Sequence, residues 1–389
     1  MQKLLEYSHN LIREVKTDFY RYKYSQINWD NRMIGLRGAR GVGKTTLILQ
    51  HIKNNLNPDK TLYVTVEDFY FASHKLVDMA GEFQKMGGKF LFIDEIHKYK
   101  DWSTELKLIY DYYPDLQVVF TGSAILDINK GAADLSRRAV MYEMKGLSFR
   151  EYLKLFHDIN ADVYSLEDVL NHKVTLAEIE HPLPYFQDYL KHGYYPFAKE
   201  NDFQIRLEQI IIKTLETDIP HYAEMNVATS RKLKQLLAIV AQSVPFKPNF
   251  SKIGEMLGAS RNNIADYLVF MEEAGLIAQL HDSTGGIRGL GKVNKLYLDN
   301  TNLIYNLAPE NSNTGNLRET FFYNQTKVNY KVISSPLADF LINDITFEVG
   351  GRNKKQKQLR DIERSYIVKD DIEFGFNNVV PLWQFGFLY

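Results

Sequence analysis

Gly38-Ala39-Arg40-Gly41-Val42-Gly43-Lys44-Thr45 is the stretch on which the reading of this chain turns. It satisfies the pattern G-x-x-x-x-G-K-[ST], in which glycines let successive backbone N–H groups turn inward around phosphate oxygens. Lys44 adds a mobile positive charge, and Thr45 offers a hydroxyl to a magnesium ion. The flanks agree with that assignment. Met33-Ile34-Gly35-Leu36 is a short apolar run before the loop, and Thr46 to Ile52 reads as a helix after it. Strand, loop, helix is the context the pattern requires. The expected phosphate contacts are therefore Gly38, Ala39, Arg40, Gly41, Val42, Gly43, Lys44, Thr45 and Thr46.

A second run, Lys89-Phe90-Leu91-Phe92-Ile93-Asp94-Glu95, is an apolar strand ending in two acids. In a parallel sheet covered on both faces, strands are continuous apolar runs and ligands sit at their C-terminal ends. Asp94 is then placed to hold Mg²⁺ through water, together with Thr45, and Glu95 to polarise an attacking water. From Arg32 to about Met144 strand candidates at 33–37, 61–66, 90–94, 117–121 and 139–144 alternate with helical stretches. That βα alternation predicts a parallel sheet with helices on both faces. The fourth strand ends at Thr121-Gly122-Ser123. Thr121 and Ser123 are candidate sensors of the γ-phosphate, while Ser123 equally suits the cap of a following helix. Arg137 and Arg138 precede the fifth strand, where an arginine either projects into a neighbour's site as a finger or is an ordinary surface charge.

The 389 residues suffice for two to four domains, and 45% hydrophobic with 24% charged residues is ordinary globular composition. A net charge of −1 supplies no global field for nucleic acid or anionic membrane, so any such partner needs a local patch. Without cysteine there are no disulfides, thiolate metal sites or cysteine nucleophiles, which suits a reducing cytoplasm. The charged N-terminus lacks a signal-peptide core, and no apolar run approaches the roughly 20 residues of a membrane span. A cytoplasmic protein without a membrane partner is the expectation. The 25 Tyr and 23 Phe are expected to fill cores and seams.

Five segments are expected: an N-terminal helix and linker at 1–30, the P-loop core at 31–145, a helical lid at 146–228, a winged helix-turn-helix at 229–310, and an α/β domain at 311–389. In the lid, Ser148 followed by Glu151 reads as a capping box, and a helix from Leu207 to Tyr222 is expected to be ended by Pro220. A short helix starting at Ser251, a turn at Gly258, and a helix capped by Ser260 and closed by Gly275 give helix-turn-helix geometry. That leaves Arg261, Asn262 and Asn263 exposed, with Arg288, Lys292 and Lys295 on or near the wing; such modules bind DNA or protein. In the last segment a helix around Leu317–Gln325 precedes strands at 328–333, 338–342, 344–349, 364–368 and 379–381, with a basic stretch from Arg352 to Arg364 read as helical.

The order of parts resembles a bacterial and archaeal family of AAA-type P-loop ATPases that carry a winged helix and a C-terminal domain related to PD-(D/E)xK nucleases. The resemblance rests on Gly38–Thr45, Ile93-Asp94-Glu95, Thr121-Gly122-Ser123, Leu135-Ser136-Arg137-Arg138 and Ser148-Phe149-Arg150-Glu151-Tyr152. It implies ATP and Mg²⁺ as cofactors and Lys44, Glu95, Arg137 and Arg138 as catalytic residues. At the C-terminus it places Glu319, Asp339 and Glu348 as the acids of the nuclease-like site, but the lysine position is Gly350. Glycine has neither charge nor proton relay, so an inactive nuclease fold retained for binding or packing is expected; Lys354 or Lys355 could substitute only from a migrated position. No [NT]-K-x-D follows the fourth strand, which favours ATP over GTP. The expected activity is Mg²⁺-dependent ATP hydrolysis driving a switch. Alternatives are an ATP-gated regulator of double-stranded DNA, a nucleotide-controlled nuclease and a protein-binding scaffold. An arginine finger acting in trans implies a homo-oligomer.

Overall fold

A computed structural model describes the whole chain except residues 124–134, 136, 224, 284–291, 312–313, 355–358 and 360–361. It divides into two compact units, Met1–Lys145 and Gly146–Tyr389.

The first unit contains helices α1 (Gln2–Glu14), α2 (Lys44–Asn55), α3 (Leu76–Lys85) and α4 (Trp102–Tyr112). Its strands are β1 (Met33–Arg37), β2 (Thr61–Thr65), β3 (Phe90–Asp94), β4 (Gln117–Gly122) and β5 (Val140–Glu143). The sheet runs β2-β3-β4-β1-β5 and every pairing is parallel. Alternation along each strand sends side chains to opposite faces. Ile34, Leu36, Tyr63, Phe92 and Val119 pack with Ile12 of α1 and Leu47, Ile48 and Ile52 of α2. Met33, Leu62, Val64, Leu91, Ile93, Val118 and Phe120 pack with Leu76, Met79 and Phe83 of α3 and Ile109 of α4. Burial on both faces is why these strands read as unbroken apolar runs. Each such side chain contributes about 1.5–3 kcal/mol. Because all five strands are parallel, Thr65, Asp94 and Thr121 emerge at the edge from which the Gly38–Thr45 loop rises.

The second unit starts at α5 (Phe149–His157), whose Ser148–Glu151 capping box is fully formed. Then come α6 (Leu166–Leu170), α7 (Leu183–His192) and α8 (Phe203–Lys213). A π-turn at Thr214–Asp218 leads from α8 into α9 (Ile219–Tyr222), so Pro220 does not end this helix as expected. The wider turn re-phases the hydrogen bonds and places Pro220 in the first turn of a new segment, where a missing N–H costs little. After α10 (Val227–Ser243), α11 (Phe250–Leu257) is capped by Asn249, one residue earlier than a start at Ser251 requires. Ser260 caps α12 (Arg261–Glu273), and Gly275 at φ +75° closes it.

An antiparallel hairpin of β6 (Ile277–His281) and β7 (Val293–Leu298) follows, with Phe246 bridging to Leu296. Beyond α13 (Thr301–Leu307) and α14 (Thr314–Thr326) lies a five-stranded mixed sheet, β12-β11-β10-β9-β8. Its strands are β8 (Val332–Ser334), β9 (Phe340–Ile342), β10 (Ile345–Gly350), β11 (Ser365–Lys369) and β12 (Val379–Pro381). The helix expected in the basic stretch 352–364 falls largely on residues outside those described.

Aromatic rings join the helices of 149–190 to residues 321–388 in a shared core. Phe149 meets Phe387 at 5.6 Å, Phe186 meets Phe321 at 4.8 Å, and Phe322 meets Phe385 at 4.8 Å between centroids. Ser148 Oγ and Arg150 Nε each donate to the Tyr389 carbonyl at 2.9 Å. Residues 146–228, expected as a separate lid, thus share their hydrophobic centre with 311–389.

Candidate nucleotide site

Gly41 and Gly43 sit at φ +83° and +96°, conformations that disfavour side chains. Gly43 is the residue before α2 and provides no side-chain cap, so the first-turn amides face the loop, where an anion can satisfy them. Gly38 packs against the Met144 carbonyl with no room for a Cβ. Lys44, 6% exposed, folds its ammonium over the loop and donates to Gly38 O at 2.8 Å and Ala39 O at 3.0 Å. Thr46 is exposed in the first turn. The buried Arg21 guanidinium donates to Val42 O and, at 2.8 Å, to Lys145 O, bracing the loop from behind. Sequence reasoning passed over Arg21 as linker; nothing near it in the chain signals a distant carbonyl partner.

Asp94 is the hub of the acidic side. Its carboxylate accepts from Thr45 Oγ1 at 2.7 Å, from the Tyr63 hydroxyl at 2.7 Å, from Thr121 Oγ1, and from the Glu95 amide at 3.1 Å. Burial, and then the Asp94 charge, push the Tyr63 phenol well above its ordinary value, so it remains a donor. Tyr63 was not among the expected site residues, although its alternate position from Thr65 on β2 puts both on one face.

Glu95 has φ +56°, and its amide also donates to Thr121 Oγ1 at 3.2 Å. Its carboxylate lies 3.8 Å from Arg40, 3.6 Å from Lys98 and 3.6 Å from His97 Nε2. The Ser123 amide donates to His97 Nδ1 at 3.2 Å, while the helix Ser123 was offered as capping lies outside the described residues. Arg137 is exposed; Arg138 makes a two-pronged pair with Asp111 at 3.1 and 3.0 Å.

The donor set suits magnesium. A threonine hydroxyl and a carboxylate are hard oxygen ligands, and Mg²⁺ normally keeps several waters beside one or two protein groups. Among the described residues no group of three or more His, Asp and Glu could hold a metal by itself, so an ion here would complete its shell with water and phosphate.

In the second unit Arg261, Asn262 and Asn263 are exposed at the start of α12, and Lys292 is exposed before β7. A cleft of about 500 Å³ is lined by Lys247, Asn249, Ser251, Arg261 and Lys292. Lys247 is a cation the sequence reading did not include. Arg288 and Lys355 lie outside the described residues. Lys295, counted with the wing cations, instead pairs with Glu319 and Asp339, which removes it from that patch. Among the described residues no helix is long and apolar enough to cross a membrane.

Residues 30–153 match the AAA domain family, and residues 183–314 match a family described as a domain of unknown function. An uncharacterized protein of Methanocaldococcus jannaschii is 26% identical over 278 residues, 65% of this chain and 58% of the relative. The chain therefore spans little more than half of that relative's length. Similar solved structures include S. cerevisiae Hsp104 in its ADP complex, at 16% identity over 69% of this chain and 39% of that one, with a TM-score of 0.30. C. elegans PCH-2 gives 16%, 70%, 66% and 0.27, and a structure of katanin self-assembly gives 13%, 68%, 86% and 0.29. At those scores the likenesses add nothing to the case for the site, which stands on the loop, the acid at the neighbouring strand end and the family match. The match over residues 30–153, with the Gly38–Thr45 loop inside it, supports an AAA-type P-loop domain in this part of the chain.

Proposed function

We propose that this chain hydrolyses ATP in the presence of Mg²⁺ and uses the cycle as a conformational switch. The observation that carries the reading is the hydrogen bond between Thr45 and Asp94, which joins the phosphate loop to the acidic strand end, with Glu95 alongside. In this reading the loop amides and Lys44 take the phosphates, and Thr45 and Asp94 hold Mg²⁺. The ion supplies charge neutralisation on the phosphates. Glu95 orients the attacking water, and Thr121, bonded to both Asp94 and the Glu95 amide, links the γ-phosphate to that pair. Arg138 is engaged by Asp111 while Arg137 is exposed, which favours Arg137 as the finger offered to another copy of the chain. Phosphate release from ATP tests the proposal: turnover with Mg²⁺ that disappears on chelation is expected. No turnover and no binding heat from folded protein overturn it.

A second reading, double-stranded DNA as a partner, is favoured by the cleft with Lys247, Arg261 and Lys292 on its walls. About three phosphate contacts there would give a log–log salt slope of roughly −2.7. Binding that is absent at low salt, or indifferent to salt, rules this partner out.

A further inference from the structure

Lys295, on β7 of the hairpin, reaches the acidic cluster made by Glu319 of α14, Asp339 just before β9 and Glu348 of β10. Its ammonium lies 2.9 Å from Glu319 Oε2 and 3.1 Å from Asp339 Oδ1. The same Glu319 oxygen accepts from the Tyr297 hydroxyl at 2.7 Å, also from β7. The other Asp339 oxygen accepts from the Val349 amide at 3.0 Å. Glu348, 6% exposed, is paired with Lys354 at 2.5 Å. Lys354 reaches it by crossing Gly350: a Cβ built there would lie 2.7 Å from Lys354 Cγ and Cδ. Glycine at the position where the resemblance asks for lysine is what gives the Lys354 side chain its path.

We infer that the acids Glu319, Asp339 and Glu348 form an internal ion-pair latch, in which Lys295 stands where a cleaving enzyme would hold a divalent cation, and that the latch ties the β6–β7 hairpin to the C-terminal sheet. Two ammonium groups answer the three carboxylates, and the hydroxyl and amide donors occupy further lone pairs. Among the described residues no three-acid metal group is formed. A carboxylate cluster satisfied this way has little attraction left for Mg²⁺ or Mn²⁺, since a metal must first displace an ammonium that is covalently part of the fold. The hairpin and the sheet consequently move as one block, so any ligand taken by α11 and α12 is felt by the C-terminal sheet. This inference is independent of whether the first unit hydrolyses ATP.

The test uses the full chain without nucleotide. Mn²⁺ titration followed by electron paramagnetic resonance is expected to show the same retained metal in the unmutated protein and in Glu319→Gln. Amide exchange across residues 293–298 is expected to quicken about tenfold or more in Lys295→Met, because removing one partner leaves two carboxylates facing each other. Lys295→Arg, which keeps the charge, should hold exchange within about twofold of the unmutated chain. Unchanged exchange in folded Lys295→Met refutes the latch. So does Mn²⁺ held by the unmutated chain and lost in Glu319→Gln, a result that stands whether or not the methionine variant folds.

Discussion

Replacing Glu95 by glutamine separates nucleotide binding from turnover. The structure sets the size of each effect. The two hydrogen bonds that fix this corner, from the Glu95 amide to Thr121 Oγ1 and to Asp94 Oδ1, are made by backbone and survive the change. What is lost are charge contacts of 3.6–3.8 Å with Arg40 and Lys98, and a contact of 3.6 Å with the His97 ring. The Arg40, Lys98 and Glu95 side chains are 18–25% exposed, so each ion pair contributes only about 0.2–1 kcal/mol. The folded state therefore gives up about 0.4–2 kcal/mol, small against the 5–15 kcal/mol typical of a domain. ATP affinity should hold or rise slightly, since a negative charge near the triphosphate is removed. Turnover should fall about 10²–10⁴-fold, the usual span for a lost general base and roughly 2.7–5.4 kcal/mol of activation free energy. A fluorescent ATP analogue reports binding, and single-turnover phosphate release reports chemistry. Unaltered release by folded Glu95→Gln protein removes Glu95 from the water-orienting role and returns it to a structural part between Arg40 and Lys98.

Lys44→Ala should abolish measurable ATP affinity, since the phosphates lose their cationic partner, while the fold loses the ammonium bonds to the Gly38 and Ala39 carbonyls; calorimetry beside a thermal melt checks both. His51 stacks on Trp29 at 3.7 Å, and burial pushes its imidazole down to about 4 from an ordinary 6.5. A base depressed on folding stabilises above its unfolded value and loses that contribution as pH falls toward the folded one. The first unit should thus lose on the order of 3 kcal/mol between pH 7.5 and about 4 through this group alone. Urea unfolding of His51→Gln should show that much less pH dependence than the unmutated chain, and parallel pH curves for the two proteins contradict the assignment.

What was legible in the sequence follows from how each feature is held. Strands of the first unit are covered on both faces, so Phe90-Leu91-Phe92-Ile93 had to be apolar throughout and stood out against helical spacing. The phosphate loop is made by backbone amides and positive-φ glycines, which need particular residues at fixed spacing and so leave a local signature. Asp94 was recoverable because a strand end is a defined place in a parallel sheet. Arg21 and Tyr63 were not: each matters through a partner 21 or 31 residues away, and neither carries a local mark. The same reason explains the division of the second half. Changes in pattern at 228 and 310 separate local architectures, but they do not say whether Phe149, Phe186, Phe321 and Phe387 share one interior, which depends on tertiary packing.

Lys295 shows the difference most sharply. A lysine near a Gly-rich turn in a helix-turn-helix pattern presents the same sequence whether it faces a phosphate or a carboxylate. Only the placement of Glu319 and Asp339, 24 and 44 residues on, assigns its charge inward. Gly350 was read as a missing lysine, yet the sequence could not disclose that Lys354 passes over it to reach Glu348. An absent catalytic group in a motif is therefore better approached by asking what occupies its volume than by stopping at the loss. Here the Lys354 side chain occupies it, and in the proposed latch two ammonium groups balance the cluster while tying two elements of the chain together.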